Sequence, residues 1–281
     1  FHGEYSSEEA DSMTALLLRP HLWDGMRDPY VYLVKAQGRF RSVEYGEKMG
    51  GMEKEEKLDP AEDITGEVEM YWRQELTIYD VRVVEKKGIL LNEKEFLPHE
   101  VVYRLPPQIS DAGTRVEQVR RDLERLVRMG VNAIRLEGTG SGAERQNCYE
   151  VRAFYRLCRR GGFLTGDLWI RPENLPVYRG LPGETTCQAL LAADGRTLTE
   201  RYYYYQAKWS SEPVLYPVLS TLHRQENGLL SLTIYSNQKK VVLYVDGLLF
   251  LFQTAASGDP EFIFEDIPVE KLPLHLAVEA G

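Results

Sequence analysis

The sequence predicts an α+β, multi-domain protein. Three observations carry that expectation: a first third rich in strand-forming residues, a middle third in which strands alternate with helices, and a last third that returns to strands alone. The three units are expected at residues 1–87, 88–181 and 182–281. A length of 281 residues allows two or three domains with hydrophobic cores of their own. At 43% hydrophobic and 27% charged, the composition is that of an ordinary globular protein rather than a disordered one.

In the first third, residues 14–19, 30–37, 40–44 and 68–84 read as strands, punctuated by Pro20, Gly25, Pro29 and Gly38. Residues 44–63 hold eight acids against three lysines, a solvated loop. In the middle, residues 89–96 with Asn92 inside read as a hairpin, and 100–104 as a strand that Pro106 and Pro107 stop. Thr114 followed by Glu117 has the form of a capping box. Val116, Val119, Leu123, Leu126 and Val127 then share a helical face, and Gly130 stands where helices favour glycine at their end. Residues 131–136 form the next strand, Asn147 opens a second helix that Gly161 and Gly162 stop, and 163–170 is a third strand. This β-α-β-α-β order implies parallel strands with right-handed crossovers, as in a βα-barrel or a doubly wound sheet.

From about Pro182 the expected strands are 187–192, 202–209, 214–223, 229–236, 241–252, 261–264 and 274–278, a number that fits an immunoglobulin-like sandwich.

Several function classes are disfavoured at once. The net charge of −9 argues against a protein that coats nucleic acid or an anionic membrane. The longest apolar run, at 248–252, falls far short of the roughly 20 residues of a membrane span. Cys148, Cys158 and Cys187 support neither a disulfide framework nor a C-x-x-C site, and the five histidines lack metal-ligand spacing, so no metal and no cofactor is expected. The chain starts at Phe1 without a signal-like segment, which leaves the compartment open, with cytoplasm slightly ahead of secretion.

Several stretches of wording resemble glycoside hydrolase family 2, the β-galactosidase and β-glucuronidase group. Pro20-His21-Leu22-Trp23-Asp24-Gly25 with Asp28-Pro29-Tyr30-Val31-Tyr32 is similar to the end of that family's immunoglobulin-like domain. Gly88-Ile89-Leu90-Leu91-Asn92-Glu93-Lys94-Glu95-Phe96 is similar to the entry into its catalytic barrel. Asp122-Leu123 through Gly130-Val131-Asn132-Ala133-Ile134-Arg135 resembles the first barrel helix and second strand, and 154–167 the next helix and strand. Stretches 202–213 and 235–247 look like the post-barrel sandwich. The resemblance implies an immunoglobulin-like N-terminal part, a TIM-barrel-like middle and an immunoglobulin-like C-terminal sandwich.

The departures are as informative. A typical barrel of this kind takes about 250 residues, yet only about twenty residues separate Asp167 from the first expected strand of the last unit. The family's acid/base and nucleophilic glutamates follow barrel strands four and seven, which have no room here, so no catalytic residue is assigned. The family's sugar-facing asparagine and histidine are replaced by Val102 and Arg104, and its "S-H-Y-P" by Glu137-Gly138-Thr139-Gly140. Arg104, Arg135, Glu137, Asp167 and Trp169 remain as candidate substrate-binding residues at the strand ends. A structural ion pair of Arg135 with Asp167 or Glu137 is the alternative reading.

Tyr202, Tyr203, Tyr204, Tyr205 and Trp209 either stack on sugar rings or pack a core. The expected protein is a degenerate, non-catalytic relative, a carbohydrate-associated or protein-interaction module that self-associates through open sheet edges. Its alternatives are an active glycosidase whose site another chain completes, or a piece of a larger enzyme.

Overall fold

The computed structural model describes residues 16–41, 67–105, 112–137, 147–165, 175–179, 189–226, 228–256, 258–269 and 275–281. The acidic insert, the glycine stretch at 138–142, Asp167, Trp169 and Cys187 lie outside the described residues. The described chain is an α+β assembly of small sheets and helices.

Strands β1 (Tyr32–Arg41) and β2 (Glu67–Leu76) pair antiparallel over ten positions, from Tyr32 opposite Leu76 to Arg41 opposite Glu67. Residues 16–19, expected to start a strand, form none. Strands β3 (Val81–Val84), β4 (Gly88–Leu91) and β5 (Lys94–Phe96) form an antiparallel meander. Asn92 and Glu93 join β4 to β5, both with positive φ (49° and 68°), the backbone of a tight two-residue hairpin turn. The Asn92 carboxamide accepts from the Asp80 amide at 3.0 Å and donates to the Trp23 carbonyl at 2.9 Å. The turn thereby fixes the segment that carries Trp23, which is 1% exposed and donates its indole N–H to the Arg159 carbonyl at 2.9 Å.

The central sheet has five parallel strands: β6 (Glu100–Tyr103), β7 (Ala133–Leu136), β8 (Leu164–Thr165), β9 (Val177–Arg179) and β10 (Ala189–Leu191). Their spatial order is β8-β7-β6-β9-β10, so the chain builds outward from β6 on one side and then returns to its other side. Helices α1 (Ala112–Met129), α2 (Asn147–Arg160) and α3 (Glu200–Trp209) contribute Leu126, Phe154 and Tyr202 to one core with Val101, Tyr103, Ile134, Tyr178 and Leu190 of the strands. Trp23 and Leu91 pack on Ala133 and Leu164, the first residues of β7 and β8, so the meander closes the N-terminal end of this sheet.

Differences from expectation have local causes. α1 begins at Ala112, which puts Thr114 inside its first turn rather than at its cap. Its buried face is Val119, Leu123, Leu126 and Met129, while Val116 and Val127 are exposed. The tyrosine run expected as a strand is α3: Tyr202 is buried and its hydroxyl donates to the Arg125 carbonyl on α1 at 2.9 Å, and packing overrides weak intrinsic preference. Ala189–Leu191, expected to begin the sandwich, pairs instead with β9.

The last part is a β-sandwich of two three-stranded antiparallel sheets. One is β11 (Leu215–Arg224), β12 (Leu230–Ser236) and β15 (Glu261–Ile267), in that order, and the other is β14 (Leu248–Thr254), β13 (Lys240–Val245) and β16 (Leu276–Ala280). Leu232, Ile234, Val241, Leu243, Phe262, Phe264 and Ile267 fill the space between them. The segment 241–252, read as one strand, is two, because Asp246 and Gly247 both take positive φ and reverse the chain.

Candidate functional site

Side chains alternate across a strand, so Val101 and Tyr103 of β6 face the helices while Glu100, Val102 and Arg104 turn the other way. In parallel register, Glu100 lies opposite Ala133 and Val102 opposite Arg135, and the next step beyond both strands brings Arg104 beside Glu137. Two arginine–glutamate pairs therefore step along the face opposite the helices.

In the first pair the Arg135 Nε donates to Glu100 Oε1 at 3.0 Å, with the glutamate side chain fully buried and the arginine nearly so. Glu100 is the first residue of β6, so this pair sits near the start of the strand rather than at its C-terminal end. In the second pair Arg104 grips Glu137 through both Nε and Nη2, the latter at 3.2 Å from Oε1, and its Nη1 donates to the Arg179 carbonyl at 3.2 Å. The Glu137 amide donates to the Tyr103 carbonyl at 2.9 Å. This fork geometry holds a carboxylate tightly and directionally. Of the five candidate residues, the structure joins Arg104 with Glu137 and pairs Arg135 with Glu100. Asp167 and Trp169 are outside the described residues.

Behind the strand ends lies a second cluster that the sequence reading missed. Asp122 of α1, 1% exposed, accepts from the hydroxyls of Tyr103 at 2.9 Å and Tyr178 at 3.0 Å, and from Arg179 Nη2 at 2.6 Å. Arg125 stands 3.6 Å away. Burial, reinforced by the neighbouring Asp122 charge, pushes the Tyr103 and Tyr178 phenols well above their usual range. The available signal was an acid at position 122 inside the apolar stripe of Val119, Leu123 and Leu126, since a charge placed there must find partners.

Chemically the Glu137 and Asp122 carboxylates are occupied acceptors. Both Glu137 oxygens and both Asp122 oxygens receive hydrogen bonds, mostly from guanidinium groups, and such carboxylates are poorly placed to hand over a proton or attack a carbon. Among the described residues no group of three or more His, Cys, Asp or Glu side chains is arranged to hold a metal ion. Cys158 is buried in the main core, and burial raises its thiol far above the reactive range. No described helix is long and apolar enough to cross a membrane.

No protein-family model matches the sequence, and no curated protein matches it. Solved structures do. A β-glucuronidase 2 of Bacteroides uniformis, solved with covalently bound cyclophellitol-6-carboxylate aziridine, aligns with a TM-score of 0.58 at 12% identity, over 94% of this chain and 51% of its own. A glycosyl hydrolase family 2 member from Bacteroides cellulosilyticus aligns with a TM-score of 0.55 at 14% identity, over 90% and 50%. A Bacteroides fragilis protein assigned as a β-galactosidase aligns with a TM-score of 0.55 at 13% identity, over 93% and 62%. The chain thus spans about half to three-fifths of the length of the structures it matches. At such identities the likeness is one of fold, and over most of its length the chain has a glycoside-hydrolase-related fold resembling the family 2 β-galactosidases and β-glucuronidases.

Proposed function

We propose that this chain is a non-catalytic, carbohydrate-associated relative of the family 2 glycosidases, in which part of a βα-barrel persists between immunoglobulin-like units. The observation that carries the reading is the Arg104–Glu137 fork at the ends of β6 and β7. Retaining hydrolysis requires two carboxyl groups about 5–5.5 Å apart, one to protonate the leaving oxygen and one to attack. At these strand ends the described carboxylates are tied to arginines instead. The test is release of nitrophenol from a panel of β-galactosides, β-glucosides and β-glucuronides, alongside calorimetric titration with oligosaccharides. Binding without turnover is expected. Turnover abolished by Glu137→Gln would overturn the reading in favour of an active hydrolase, complete alone or with another chain.

A second reading, attachment to another protein or a second copy of this chain, is favoured by β14. This strand lies at the edge of its sheet and exposes Leu249 (61%) and Phe252 (53%) on one face and Leu248 (75%) at its start, apolar side chains along an open strand edge. Light scattering tests it: a dimer or larger species that Leu249→Lys returns to monomer supports the contact, and a monomer at all concentrations removes self-association.

A further inference from the structure

Where α3 meets the outer face of β11 and β12, the molecule leaves a cavity of about 690 Å³. Glu200, Arg201, Tyr204, Tyr205, Tyr216 and Tyr235 line it. The space is an open groove at the surface rather than a buried void, and its size falls within the range of small-molecule sites.

The rings are arranged as a floor and a wall. Tyr216 and Tyr235 are register partners on β11 and β12, so they stand side by side, with centroids 6.5 Å apart and planes within 20°. Tyr203 of α3 stacks on Tyr216 at 3.8 Å and 6°, fixing one end of this floor to the helix. Tyr204 meets Tyr235 edge-on at 5.5 Å and 78°, and Tyr205 meets Tyr204 at 88°, which raises a perpendicular wall. Each of these tyrosines keeps part of its surface in solvent. Glu200, in the first turn of α3, is held in place by the Ser220 amide at 3.2 Å and the Ser220 hydroxyl at 2.6 Å.

A fixed carboxylate among part-exposed aromatic planes suits a ligand with flat C–H faces and many hydroxyl donors. Pyranose rings have both. Burial is the first cause that raises the Tyr216 and Tyr235 phenols above their usual range, with Tyr203 and then Glu200 adding to it at Tyr216, and Glu261 and then Glu200 at Tyr235. Glu200 and Arg201 are the two charged residues of the lining and are opposite in sign, so the groove carries no net formal charge and suits a ligand that has none. We propose that this cleft binds a neutral oligosaccharide, with a sugar ring packed against Tyr235 and hydroxyl groups donating to Glu200. The inference deepens the carbohydrate-associated reading and rests on it, while placing the contact away from the strand ends of the central sheet.

The test is calorimetric titration of the full chain with cellobiose, lactose and xylobiose, and with methyl β-D-glucuronide as the anionic comparison. At least one neutral disaccharide is expected to bind at least tenfold more tightly than the glucuronide. Tyr235→Ala should weaken that binding tenfold or more, Tyr235→Phe less than threefold, and Glu200→Gln severalfold, each with an unaltered circular dichroism spectrum. Because Tyr235→Phe keeps the ring, its behaviour separates loss of stacking from loss of folding. Sugar binding that survives both Tyr235→Ala and Tyr204→Ala overturns the cleft and leaves the broader reading standing. Absence of binding by every disaccharide overturns both. Turnover of a nitrophenyl glycoside together with binding lost in Tyr235→Ala overturns the non-catalytic reading alone.

Discussion

Asp122, in the middle of α1, accepts a 2.6 Å hydrogen bond from Arg179 at the end of β9, with both side chains withdrawn from solvent. The Nε of Arg179 has no hydrogen-bond partner among the described residues, so Asp122 is its principal neutraliser. Removing one member of a buried pair leaves an uncompensated charge, which typically costs about 3–5 kcal/mol. Asp122→Ala should therefore lower the free energy of urea unfolding by that order. The double variant Asp122→Ala/Arg179→Met should recover part of the loss, and a double variant no more stable than the single one would show that the pair matters for another reason.

The Arg104–Glu137 pair looks similar but is expected to behave differently. The Glu137 side chain is 46% exposed, so water already competes for it. Exposed pairs contribute at most about 1 kcal/mol. Thermal melting of Glu137→Gln should fall within that range of the parent, and a larger loss would mark this pair as structural.

Gly130 ends α1 with φ +88°, where a Cβ would stand 2.3 Å from the Trp209 carbonyl oxygen. No flexible side-chain end is there to move aside, since the neighbour is backbone. Gly130→Ala combines the left-handed conformation, about 1–3 kcal/mol for a non-glycine residue, with a collision that forces α1 and α3 apart. A marked drop in melting temperature is expected, accompanied by a change in the fluorescence of Trp209, and an unchanged melt would contradict this close approach.

His99 supplies a pH dependence. Its Nδ1–H donates to the Gly130 carbonyl at 2.9 Å and its ring stacks on Trp209 at 5.2 Å and 5°. Burial lowers its pKa, and the hydrogen bond to Gly130 opposes that shift without cancelling it. The unfolded chain consequently takes up this proton first as pH falls. The contribution of His99 is intact above about pH 6.5 and is lost progressively below it, toward the lower folded value. Unfolding free energies at pH 7.5 and pH 5.5 should differ less in His99→Gln than in the parent, and equal differences would remove His99 as the cause.

Much of the middle of the molecule was legible because its signals are local. Val119, Leu123 and Leu126 recur at helical spacing, Gly130 stops the helix, and Asn92 marks the hairpin turn. α3 was not legible: a run of four tyrosines has no apolar period, and docking of Tyr202 on Arg125 decides the matter. The strand order was hidden for a different reason. β9 meets β6 through Val102 and Val177, and no local pattern announces a partner so far along the chain. At the strand ends the residue types Arg104, Arg135 and Glu137 were readable, but their pairing was not. Register sets it: the step beyond Tyr103 and Leu136 puts Arg104 opposite Glu137, which leaves Arg135 to Glu100.

The return of the chain to the far side of β6 has a consequence for how the protein is made. The Arg104 guanidinium must wait for a carbonyl 75 residues downstream, and the Trp23 indole for one 136 residues downstream. On a ribosome, β6 and its helix emerge long before the strand that completes their neighbourhood, and loop-closing entropy opposes holding them together meanwhile. Such distant wiring slows folding relative to proteins built from near contacts. It leaves β6 of the nascent chain waiting for a strand made some 75 residues later, and a copy interrupted before β9 would expose the whole flank of its central strand.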